Sequence, residues 1–261
     1  MKIPVRLSST PHEKVWGSPA TEPWHRNPEG RKIGEIWFAA SEAAPLLVKF
    51  LFTSENLSVQ VHPDDEYARK HENSRGKTEM WHILQAERDA KIALGLRTRI
   101  TPERLREASL SGEIMDLLNW VPAQPGDTFF IPAGTIHAIG AGIVLCEVQQ
   151  LSDVTYRLYD YGRPRELHLE KAMDVSHLEP RSENAARELP VESAHFRTER
   201  LEVEGSAIAP TPAANTLYIA LEGEGTIAGN PFAAGEAWEV SAGAPSFEIT
   251  GSAVFLTTYP R

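Results

Sequence analysis

The sequence has a single cysteine, Cys146, among 261 residues. No intramolecular disulfide can form, which excludes a disulfide-stapled secreted scaffold and fits a reducing compartment. No apolar stretch is long enough to span a bilayer, and residues 1–10 contain nothing like the apolar segment of a signal peptide. A cytoplasmic protein with no membrane partner is therefore expected. Positive charge is also scarce: 26 Lys and Arg stand against 36 Asp and Glu, a net charge of −10. Nucleic-acid surfaces need basic patches to meet phosphates, so nucleic acid is excluded as a partner. An acidic chain can still bind a small anion if it gathers a few lysines and arginines in one pocket.

Proline and glycine, 19 and 18 residues, separate short apolar runs along the whole chain. That punctuation predicts a mainly β protein. Strands are expected at 46–53, 57–61, 80–83, 90–94, 128–131, 143–149, 155–159, 216–221, 237–240 and 253–257, many alternating apolar with polar residues. Few helices are expected: one opening at Pro63 with Asp64, Asp65 and Glu66, a small insertion over 101–120 capped by Thr101, and a short one within 167–175. The polar, proline-flanked stretch 179–190 reads as a linker. It divides the chain into a catalytic domain, 1–180, and a smaller β domain, 190–261. A faint repeat supports two related β units. Gly126 to His137 (GDTFFIPAGTIH) matches Gly235 to Ser246 (GEAWEVSAGAPS), with the histidine replaced.

Gly126, Pro132, Gly134 and His137 have the spacing of the second signature motif of the cupin superfamily, in which a tight turn delivers a histidine into a β-barrel. A lone histidine there can equally be structural, so further ligands are needed. LSVQVHPDD at 57–65 supplies Ser58, Gln60 and His62, which share one strand face because side chains alternate. GKTEMW at 76–81 likewise puts Lys77 and Glu79 on one face. Two histidines, a carboxylate and an amide oxygen can hold a divalent metal. Zinc accepts such donors, and iron, manganese or cobalt are not excluded. Asp64 and Asp65 are read as helix N-terminal residues rather than ligands. His82 is expected to face outward, Trp81, Trp120 and Trp238 to pack in cores, and Cys146 to be an inert buried thiol.

The blocks LSVQVHPDD, GKTEMWHIL (76–84), FFIPAGTIHAIGAG (129–142) and CEVQQLSDVTYRLYDYGR (146–163) resemble type I mannose-6-phosphate isomerases, in particular short bacterial forms. WGSPATEPW and IGEIWFAASE near the N-terminus fit as well. The likeness runs from about residue 33 to 175, and the C-terminal part is generic. It implies a cupin or jelly-roll β-barrel, to which the internal repeat adds a second, smaller, metal-free cupin-like unit. It implies one Zn2+ per chain on Gln60, His62, Glu79 and His137, and a phosphosugar substrate near Ser58, Lys49, Lys77 and Arg157. Arg157 matches the family's catalytic arginine, with Lys77 and Glu147 as further catalytic residues. The chain lacks the large helical domain of many members. The implied reaction is aldose–ketose isomerisation through an enediol. The proton-transferring base stays open among Glu147, Lys77 and a metal-bound water. Lys49, Lys77 and Arg157 are the phosphate candidates, with Arg163 and Arg165 as weaker ones. Asp153 either orients Arg157 or caps a turn.

Three alternatives remain at this level: a non-catalytic sugar-phosphate-binding cupin, an isomerase acting on another phosphosugar, and a cupin enzyme of another class such as an iron-dependent oxygenase. Metal content and turnover would separate them. Oligomeric state is left open.

Overall fold

Short apolar runs bounded by Pro and Gly become strands throughout. The computed structural model describes residues 4–181 and 188–261; 182–187, inside the expected linker, lie outside the described residues. The elements run β1 (Val5–Arg6), β2 (Thr10–Ser18), β3 (Ile33–Ala39), β4 (Leu46–Thr53), β5 (Val59–Val61), α1 (Asp65–Glu72), β6 (Glu79–Ala86) and β7 (Lys91–Leu96). Next come α2 (Pro102–Ser111), α3 (Ile114–Leu117), β8 (Leu118–Pro122), β9 (Thr128–Ile131), β10 (His137–Ile139), β11 (Ile143–Gln150), β12 (Tyr156–Tyr159) and α4 (Leu169–Val175). The chain closes with β13 (Val191–Glu192), β14 (Phe196–Ala209), β15 (Thr216–Ile227), β16 (Asn230–Ala233), β17 (Ala237–Val240) and β18 (Phe247–Pro260).

The expected helical insertion is shorter than 101–120. Thr101 caps α2 by accepting from Arg104 N, and Gly112 ends it in the left-handed region. After the single turn of α3, residues 118–120 leave the helix as β8 and pair antiparallel with β7, Val121 opposite Ile92 and Trp120 opposite Ala93. His82 also departs from expectation. It is buried, with Nδ1 2.8 Å from Thr128 Oγ1, because β6 is buried on both faces over its first half.

The chain divides into two units. One comprises Met1–Phe52, Cys146–Val148 and Glu188–Arg261, so the C-terminal β residues group with the N-terminal strands rather than standing alone. In it a sheet runs β1-β17-β15-β18-β14-β13, with β16 on β15. β2, β3 and β4 form a second antiparallel run. Tyr218, Phe232, Trp238 and Phe255 fill its C-terminal core. Trp24 docks there, its indole N–H donating to Leu221 O at 2.7 Å.

The other unit comprises Thr53–Leu145 and Gln149–Arg187. Its sheet runs β12-β5-β10-β7-β8, and β6 pairs with β9. Strand alternation decides the two faces. Val59, Val61, Ala138, Tyr156 and Leu158 pack with Leu105, Ala108, Ile114 and Ala172 of the helices. Each fully buried aliphatic side chain there contributes roughly 1.5–3 kcal/mol. The opposite face is left to Gln60, His62, His137 and Arg157.

The sequence repeat is matched bond for bond. In β6–β9, Glu79 pairs with Ile131, Trp81 with Phe129 and His82 with Thr128. In β15–β17, Thr216 pairs with Val240, Tyr218 with Trp238 and Ile219 with Ala237. Gly126 N donates to Ile83 O and Ile83 N to Asp127 O, both at 2.8 Å; Gly235 N and Ala220 N repeat the pattern with Ala220 O and Glu236 O at 2.8 and 2.9 Å. Gly134 N bonds His62 O, and Gly243 N bonds Pro212 O. The frames coincide, while Glu79, His137 and His62 are answered by Thr216, Ser246 and Pro212, none of them an imidazole or carboxylate.

Candidate metal centre

Three side chains converge in the second unit. His62 leaves the end of β5, Glu79 opens β6, and His137 opens β10 after the Pro132–Gly134 turn. Their ligand atoms all lie within 4.8 Å of one another, and all three residues are buried. Glu79 bridges the pair: Oε2 lies 3.6 Å from His62 Nε2 and Oε1 3.5 Å from His137 Nε2. The rings are 4.7 Å apart, and the edge of Trp81 closes on His137 at 5.4 Å.

The far side of each imidazole is fixed. His62 Nδ1 lies 2.9 Å from Val154 O, and His137 Nδ1 lies 2.8 Å from Thr135 O. A carbonyl oxygen can only accept, so each Nδ1 carries a hydrogen and each Nε2 is the atom that faces Glu79. That is the orientation a metal-binding histidine uses, held by the outer hydrogen bond that typically accompanies it. Lys77 agrees with this assignment: its Nζ donates to His62 Nε2 at 2.9 Å and pairs with Glu79. A fully buried carboxylate needs such compensation, because unpaired burial of a charge costs several kcal/mol. The donor set, two imidazoles and a carboxylate, fits a divalent metal.

Strand register extends the site. Gln60 stands opposite His137 across β5–β10 and opposite Arg157 across β5–β12, so Arg157, Gln60 and His137 form one row on one face. Arg157 Nη1 donates to Glu166 O at 2.8 Å, and its backbone N–H to His168 Nδ1 at 3.1 Å. Its buried Nε has no hydrogen-bond partner among the described residues. Burial, and then Arg165, lowers its pKa, though an arginine stays charged at neutral pH. Ser58, buried, precedes Gln60 by one full alternation.

Other expected residues have different occupations. Arg165 grips Asp160 with two hydrogen bonds, 2.6 and 2.7 Å, and Arg163 pairs with Asp160 and Glu55. Asp153 accepts from Thr155 through its main chain, and Arg157 is oriented by Glu166 instead. Asp64 is the cap of α1, accepting from Tyr67 N, and Asp65 ties Gly76 N and Gln150 to the helix start.

Lys49 and Glu147 meet in the first unit as a buried ion pair at 3.2 Å. Lys49 Nζ lies 4.7 Å above the Trp37 ring, whose N–H donates to Glu35 Oε2 at 2.9 Å; Lys14 pairs with Glu35 at 3.2 Å. Glu35, Trp37 and Lys14, which surround Lys49, were not singled out from the sequence. The signal available was the alternation of Glu35 and Trp37 within IGEIWFAASE. Cys146 is fully buried; burial, aided by Glu147, pushes its thiol far up, as an inert thiol requires.

A mainly β chain that gathers two histidines and a glutamate behind a Pro/Gly turn, in a group that could hold a metal ion, is a protein of the cupin class. No family model matches the chain. It is 37% identical over 260 residues to the mannose-6-phosphate isomerase ManA of Bacillus subtilis, covering 88% of this chain and 82% of that protein. It is 45% identical over 141 residues to a Streptococcus mutans mannose-6-phosphate isomerase, 52% of this chain and 44% of that protein. Its fold matches the crystal structure of the mannose 6-phosphate isomerase from Bacillus subtilis with a TM-score of 0.85 and 27% identity, over 98% and 99% of the two chains. The chain belongs to the mannose-6-phosphate isomerase family. Among the described residues no helix is long and apolar enough to cross a membrane.

Proposed function

We propose that this protein is a zinc-dependent, cytoplasmic aldose–ketose isomerase that interconverts mannose 6-phosphate and fructose 6-phosphate. The observation that carries the reading is the buried His62–Glu79–His137 cluster with both Nε2 atoms turned inward, in a chain of this family. These three residues, with Gln60, would hold one Zn2+. The bound metal supplies Lewis-acid polarisation of sugar oxygens.

The remaining chemistry belongs to the side chains. A base takes the proton from C2 of the aldose, the electron pair forms a C1–C2 double bond, and O1 takes up a proton. The resulting enediol loses the O2 proton and gains one at C1, so the composition is unchanged. Glu147 and Lys77 are the proposed proton carriers; Lys77 Nζ, held by His62 and Glu79, keeps a proton in the buried centre. Arg157 supplies a fixed charge where the oxyanion develops, and its row with Gln60 and His137 supports that role. Ser58, Lys49, Lys77 and Arg157 are proposed to hold the phosphosugar. The catalytic domain is proposed as 1–180, and 190–261 as a structural companion.

The test is metal analysis by mass spectrometry with a mannose 6-phosphate assay before and after chelation. About one zinc per chain, activity lost on chelation and restored by zinc, is the expected result. Metal without turnover on any phosphosugar would overturn the catalytic reading.

A further inference from the structure

The turn that carries His137 is clamped from behind by a residue distant in sequence. Arg181 Nη2 donates to Phe130 O at 2.7 Å, at the end of β9, and its Nη1 donates to Thr135 Oγ1 at 3.3 Å. The guanidinium therefore joins the two sides of the Pro132–Gly134 turn. Thr135 is also the residue whose carbonyl accepts from His137 Nδ1 at 2.8 Å. The segment before Arg181 is tied to the same turn by His177 N to Gly134 O at 2.8 Å and to the end of β7 by Arg181 N to Leu96 O at 3.2 Å. The His177 ring occupies the space a Cβ at Gly134 would need.

We infer that Arg181 is a positioning residue for the metal ligand His137, acting through Thr135. One planar fork reaches two acceptors at once, which a single ammonium cannot reproduce. Thr135 held at its hydroxyl presents its carbonyl in one direction, and that carbonyl fixes the imidazole's tautomer and orientation. Arg181 and Thr135 both border a cavity of about 840 Å3, so shortening the arginine opens onto existing space rather than creating a new void in the core.

The inference rests on the proposed metal centre, and the test separates the two. Zn2+ affinity would be measured by chelator competition for the intact protein and for Arg181→Met, Arg181→Lys, Thr135→Val and the Arg181→Met/Thr135→Val double variant. Loss of an outer hydrogen bond behind a ligand typically weakens metal binding about 10- to 100-fold. A loss in that range is expected for Arg181→Met with its melting temperature little changed, a smaller loss for Arg181→Lys, and a double variant no weaker than the worse single one. Wild-type affinity in Arg181→Met, or losses that multiply in the double variant, overturns the inference. In parallel, long-range 1H–15N spectra of the metal-free protein read the His137 tautomer. A unique Nδ1–H form that becomes a mixture in Arg181→Met supports the inference even if the wild type binds no zinc, a result that would sink the metal centre alone. An unchanged tautomer in that variant overturns it.

Discussion

His62 and His137 point Nε2 at opposite oxygens of one carboxylate, Glu79, at 3.6 and 3.5 Å. Each ring is held from behind by a main-chain carbonyl, Val154 O for His62 and Thr135 O for His137. His137→Ala removes one of three strong donors. Bound zinc should fall to background and isomerase turnover by at least about 100-fold, comparable to or worse than losing an outer-shell partner. Mass spectrometry of the purified variant and a coupled assay read both, with circular dichroism confirming that the fold is kept. Retained zinc would mean the ligand set is misassigned.

Lys77→Met separates charge from structure. If Lys77 transfers or holds a proton, kcat drops by about 10^2- to 10^4-fold while metal content stays near the wild-type level. Steady-state kinetics alongside metal analysis decide it. A variant that turns over normally would remove Lys77 and leave Glu147 or a metal-bound water as the base.

Two glycines of the C-terminal sheet should respond very differently to alanine. A Cβ at Gly235 would lie 2.0 Å from Trp24 O, with φ at +87°, whereas Gly229, at φ +79°, has nothing within 4 Å. Gly229→Ala bears only the backbone strain, about 1 kcal/mol. Gly235→Ala must also displace the Trp24 segment, so a loss of roughly 3 kcal/mol or more is expected. Urea unfolding midpoints give the comparison. Equal losses would show that the Trp24 contact yields freely.

Glu35 predicts an acid limb in stability. Burial raises its pKa, but Lys49, Lys14 and the Trp37 N–H together outweigh burial, leaving it below the ordinary carboxylate value of 4.5. A group depressed in the folded state adds stability above the unfolded value and loses it as pH falls through the folded one. Glu35→Gln should therefore be less stable at neutral pH and show a shallower decline below about pH 4.5. Urea titrations at several pH values test this; parallel curves for the two proteins would refute it.

The convergence of His62, Glu79 and His137 was legible because they lie in short segments where strand alternation and a Pro/Gly turn dictate direction. β4, β9 and β17 were legible to the residue for the same reason. β14 was not, because its Arg, Glu and Ser positions dilute the apolar alternation and its partner β18 is distant in sequence. His82 was misjudged because alternation assumes one wet face, and the first half of β6 has none. Arg181 carries no local signal at all; its role comes from two acceptors five residues apart on another segment.

The bonds that shape the two matching turns run from main chain to main chain, so they do not depend on what the ligand positions hold. The same frame therefore carries Pro212, Thr216 and Ser246 where the other holds His62, Glu79 and His137. With the turn already cast, Pro212→His, Thr216→Glu and Ser246→His mark where a second centre could be engineered.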